Sequence, residues 1–74
     1  MATPWMTRAA ASEIIDDALN ATPGLTMGEL IRRVWGAEYD QDQANMVRFI
    51  VLSWERMGGI RRRGDQIFLA REAA

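Results

Sequence analysis

Apolar residues return every three or four positions in three separate stretches of the chain, and each stretch is bracketed by residues that start or stop helices. In the first, Ala11, Ile14, Ile15, Ala18 and Leu19 keep the period of one buried helical face. That helix opens at Thr3-Pro4, with Thr3 as N-cap and Pro4 at the first helical position, or at Thr7 as the alternative cap. The run Asn20 to Gly24, dense in breakers, ends it. In the second stretch, Met27, Leu30, Ile31, Val34 and Trp35 lie on one stripe. Thr26 and Glu29 supply a T-x-x-E capping box before it, and Gly36 stops it. A short connection through Ala37, Glu38 and Tyr39 leads to Asp40 and Gln43, a second capping-box pair. The third helix then runs to about Met57 on a stripe of Ala44, Val47, Ile50, Val51 and Trp54. Gly58-Gly59 provides its left-handed C-cap.

The pattern changes after those glycines. Ile60 to Arg62 reads as a short strand, Gly64-Asp65 as a turn, and Gln66 to Ala70 as a second strand rich in β-forming side chains. A Gly-Asp pair between two such runs signals a hairpin. The tail, residues 71–74, is expected to fray. The fold class is therefore α+β, mainly α: three helices, closed by a C-terminal β-hairpin.

Seventy-four residues suffice for one domain and leave no room for a second. A chain this short needs an efficient core. The apolar fraction of 49% and three Trp meet that need, with Leu30, Ile31, Val34, Val47, Ile50, Val51 and Trp54 as the expected centre. Cys and His are both absent. That removes disulfides, thiolate or imidazole metal sites and a histidine general base. With no nucleophile–base pair, no phosphate-cradling glycine loop and too little chain for a deep pocket, neither an enzyme nor a small-molecule or cofactor binder is expected. No apolar run has the length of a membrane span, and the N-terminus lacks the basic-then-apolar order of a secretory signal. The expectation is a cytoplasmic protein.

Charge adds a direction to this picture. The formal net charge is −1, but residues 1–47 carry three Arg against seven acids and residues 48–74 carry six Arg against three. The first part is acidic and the last part basic, which tells more than the total does. Every basic residue is Arg, the better side chain for forked contacts to phosphate or carboxylate.

Helix, short extended step, helix, helix, hairpin is an order that resembles the winged helix-turn-helix superfamily. The resemblance is carried by the segments LTMGELIRRVWG and MGGIRRRGDQIFLA and covers about residues 8–70. It implies a short strand at Leu25-Thr26, a recognition helix over 41–57 and a wing whose tip spans Arg61 to Asp65. It also implies double-stranded DNA as partner, helix three in the major groove and basic wing residues on the backbone, in a transcriptional regulator of phage or bacterial type. A homodimer is expected, because one module of this size makes few contacts.

The residues themselves offer the chemistry for that role and also for a rival. Arg61, Arg62 and Arg63 beside a tight turn can neutralise phosphates, or form a solvated, charged strand that protects a sheet edge. Turning helix three so that Val47 faces the core puts Gln41, Asp42, Asn45, Phe49, Leu52 and Arg56 on the opposite face. Gln41 and Asn45 suit base edges, and Arg48 and Arg56 suit phosphate or guanine. Asp40 and Asp42 oppose a phosphate backbone at that end. Phe49 and Leu52 are apolar on a face meant for a polar groove: either they mark a protein contact or the wing covers them. Trp5 lies off the stripe of helix one and pins the N-terminus or meets a partner. The rival function is therefore a protein–protein interaction module, an adaptor or inhibitor, acting through the acidic N-terminal half and the Phe49/Leu52 face.

Overall fold

The computed structural model describes residues 5–70. It holds three helices and a three-stranded antiparallel sheet: α1 (Arg8–Ala21), β1 (Leu25–Thr26), α2 (Met27–Trp35), α3 (Gln41–Arg56), β2 (Ile60–Arg63) and β3 (Gln66–Leu69). The α+β, mainly helical class expected from the sequence is what is observed.

Local chemistry sets the helix ends. Trp5 to Thr7 are not helical, and α1 starts under the Thr7 hydroxyl, which accepts the Ala10 N–H at 3.1 Å. Thr7 is thus the cap, and the Thr3-Pro4 start lies outside the described residues, as does the tail 71–74. Both capping boxes are formed. The Thr26 N–H donates to Glu29 Oε1 at 2.9 Å while Thr26 Oγ1 accepts the Glu29 N–H at 3.2 Å. At α3 the corresponding distances between Asp40 and Gln43 are 2.9 and 2.8 Å. Each box satisfies two N–H groups that a helix start leaves without partners. At the far end of α3, Gly58 adopts φ +85°. The Gly59 N–H then returns to the Trp54 carbonyl at 2.7 Å and the Gly58 N–H to that of Glu55 at 3.1 Å. This paired closure needs a residue in the left-handed region just past the helix, where glycine pays no Cβ penalty.

The sheet order is β1-β3-β2, so β3 is central. Leu25 lies opposite Ile67 on one side of it, and Arg62 opposite Ile67 on the other. Side chains alternate across a strand. Ile60, Leu25 and Ile67 accordingly share the face that is buried against the helices, at 3%, 4% and 1% exposure. These three join Ala11, Ile15, Ala18 and Leu19 of α1, Leu30, Ile31 and Val34 of α2, and Ala44, Val47, Ile50 and Val51 of α3 in one core. The three helical stripes read from the sequence converge there.

The structure corrects the sequence reading at three places. β2 extends through Arg63 and β3 stops at Leu69, so the arginines stand in a strand and the tip is Gly64-Asp65 alone, with Gly64 at φ +63°. Trp54, expected at the centre of the core, is only partly buried at its margin. It lines a shallow cleft with Asp16, Met57, Gly59, Leu69 and Ala70. Trp35 is also partly buried; Trp5 packs edge-on against it, ring centroids 5.2 Å apart at 66°. Trp5 keeps 54% of its surface exposed beside that contact.

Candidate nucleic-acid interface

Helix α3 presents two faces with different chemistry. Opposite its buried stripe, Gln41, Asp42, Asn45, Arg48, Phe49, Leu52 and Arg56 are all exposed, as the helical period demands. The polar members are linked in a row. Gln41 Nε2 donates to Asn45 Oδ1 at 3.2 Å, and Arg48 Nη1 donates to the same oxygen at 3.4 Å. These i, i+4 and i, i+3 contacts order the side chains before any ligand arrives. They leave the Asn45 amide N–H₂ and most of the Arg48 guanidinium free to donate, the chemistry that reads base edges and phosphates.

Further along the same face, Asn45, Arg48, Phe49, Leu52, Ser53 and Arg56 line a shallow groove. Its floor is apolar: Phe49 is 54% and Leu52 44% exposed. Arg8 of α1 lies over the Phe49 ring, its guanidinium carbon 4.8 Å from the ring centroid, a cation–π contact. Sequence reasoning passed over Arg8, because nothing in the spacing of the first helix shows which side chain of the third it will meet.

The hairpin divides its three arginines by strand alternation. Arg62, opposite Ile67, shares the core-side face and reaches back to α3, where its Nε lies 3.1 Å from Glu55 Oε1. The two side chains remain about a third exposed or more, 34% and 40%, so the pair contributes little to stability, but it partly neutralises Arg62. Arg61 and Arg63 lie opposite Phe68 and Gln66 on the other face, exposed and in no ion pair with a described residue. Among the described residues the run is thus two unpaired cations and one tethered cation. Glu55 places a carboxylate at the junction of α3 and the hairpin.

Asp65 is exposed at the hairpin tip, and most of the remaining acids lie in two groups. Glu13, Asp16 and Asp17 lie along α1, and Glu38, Asp40 and Asp42 lie around the α2–α3 connection. Asp40 is committed to its cap, and Asp42 stands at the N-terminal end of the α3 outer face. Glu29 is held below the usual carboxylate range, first by the Thr26 backbone N–H, then by the Thr26 hydroxyl and by Arg32 and Arg33. Among the described residues no group of three or more acidic side chains is arranged to hold a metal ion. No helix among them is long and apolar enough to cross a membrane.

Comparison of the chain with protein-family models, with curated proteins and with solved structures found no match. The functional reading rests on the residues and their geometry.

Proposed function

We propose that the chain is a winged-helix domain that binds double-stranded DNA, with the outer face of α3 in the major groove and the β2–β3 hairpin against the backbone. The observation that carries this reading is the placement of Arg48, Arg56, Arg61 and Arg63. All four are exposed, on the two elements that such a domain applies to DNA, and none is consumed by a carboxylate among the described residues. Asn45 and Gln41 supply base-reading amides between them. The order of elements, with β1 pairing onto the hairpin ahead of α2, supports the winged-helix assignment. A transcriptional regulator that works as a homodimer is the role this chemistry suits, since a single module of this size makes few contacts.

The test is binding to random duplex DNA across a salt series. Each phosphate contact adds about 0.9 to the slope of log affinity against log salt. Replacing Arg61 and Arg63 with Ala should lower that slope by about 1.8 and weaken all sequences alike. Glu55→Ala should do the reverse, releasing Arg62 and raising the slope by up to about 0.9. Asn45→Ala should change preference among sequences instead, because base contacts specify while phosphate contacts position. Absence of duplex binding by the parent at low salt would overturn the reading. The exposed Phe49 and Leu52 would then favour the second one, a protein-interaction module, and replacing both with Ala should abolish partner binding while leaving helical content intact.

A further inference from the structure

Two features of the outer surface are each unfavourable alone. Arg8 is the first residue of α1, and that helix has no acidic residue in its first turn. A cation there opposes the positive end of the helix dipole, so the stability of α1 does not account for it. Phe49 is a large ring left 54% exposed on a face it shares with Leu52 and with polar residues, and the core does not account for it. They meet at 4.8 Å. The ring holds a flexible guanidinium over the α3 outer face, and the result is a cation contributed to that face by a different helix.

Two guanidinium groups, Arg48 and Arg56 of α3, line one groove, and a third, Arg8 of α1, lies over the ring of Phe49 that forms part of its floor. Among the described residues no carboxylate lines that groove. A guanidinium stacked on a ring keeps its N–H edge free, and the stacking reduces the number of rotamers it must lose when an anion binds. We infer that Arg8 is a phosphate-contacting residue of the DNA-binding surface and that Phe49 is its positioning residue, which makes the exposed ring part of the nucleic-acid site and not a docking patch for protein. This rests on the proposed DNA-binding function and extends it to the N-terminus of α1.

The experiment is the same salt-titrated binding to random duplex DNA, run on the full chain and on Arg8→Gln, Phe49→Ala, the double variant and Phe49→Trp. Arg8→Gln should lower the slope by about 0.9, so that over a fourfold rise in salt the variant loses about three- to fourfold less affinity than the parent. Phe49→Ala should reproduce a large part of that flattening, although it removes no charge. The double variant should be no worse than Arg8→Gln, the non-additivity expected of two residues acting as one unit. Phe49→Trp should retain the parent slope, because indole is the stronger cation–π partner. If the parent binds duplex DNA but Arg8→Gln keeps its slope, the inference fails and the wider reading stands. If Phe49→Ala weakens binding additively with Arg8→Gln, the ring acts on its own and the positioning role fails. If the parent does not bind at all, inference and reading fall together. Arg8→Gln alone decides the phosphate contact should Phe49→Ala not fold.

Discussion

Ile67 is the residue on which the sheet and the helices both depend, and truncating it to Ala is the most direct test of the architecture. It is 1% exposed, sits on the central strand β3, and lies opposite Leu25 of β1 and Arg62 of β2. Its carbonyl also accepts the Gly24 N–H at 3.0 Å. Removing three buried carbons costs about 2.4 kcal/mol at roughly 0.8 kcal/mol per buried methylene. A pocket walled by a sheet on one side and helices on the other cannot collapse fully, so the cavity raises the total to about 3–4 kcal/mol. A chain of this size is stable by about 4–11 kcal/mol, so the variant should lose about a third or more of its stability. The assay is urea denaturation followed by Trp fluorescence and far-UV circular dichroism. The midpoint should fall with little change in the slope, since the surface exposed on unfolding is nearly the same. Ile67→Val, which removes one carbon, should lose only about 0.5–1.5 kcal/mol. A loss below about 1 kcal/mol for Ile67→Ala, or equal losses for Ala and Val, would refute the placement of β3 between β1 and β2 over the helices.

Two further outcomes follow from local geometry. Gly28, in the first turn of α2, has nothing within 4 Å of the position a Cβ would occupy and no positive φ. Gly28→Ala should therefore stabilise the fold by about 0.5 kcal/mol, largely by restricting the unfolded chain. That corresponds to a melting temperature about 2–4 °C higher, and a lower one would show that the site is not open. Glu29 has a pKa depressed below 4.5 in the folded protein, so the unfolded state binds more protons as pH falls. Its contribution is fully present above pH 4.5 and is lost as pH drops through the folded value. Glu29→Gln keeps an N3 side chain that can accept from the Thr26 N–H but cannot titrate. Its melting temperature should fall less steeply than the parent's below pH 4.5, and identical profiles would show that the capping carboxylate does not contribute.

The helices were legible in the sequence because each is specified by contacts within a few residues of itself. Thr26 with Glu29 and Asp40 with Gln43 are spaced to close capping boxes in any context that lets a helix begin. The stripes of α2 and α3 name their buried residues through the helical period alone, and the exposed set on α3 follows from the same period. The hairpin was legible from Gly64-Asp65 between two short strand-forming runs. Trp54 shows where that reasoning stops. Its position on the stripe is right, but whether a stripe position is covered depends on where the neighbouring elements end.

Which arginines are ion-paired among the described residues was decided by tertiary structure. Sequence placed Arg61, Arg62 and Arg63 together as one basic run, and strand alternation could in principle separate the middle one. That Arg62 finds Glu55 at 3.1 Å depends on how the hairpin folds back on α3, a distance no local pattern encodes. The same holds for Arg8 and Phe49, which lie 41 positions apart and meet at 4.8 Å only because α1 and α3 pack through a common core. Capping, periodicity and turn chemistry act over three or four residues and are written in the chain. Which charges remain free for a partner depends on which distant side chains the core brings to the surface side by side.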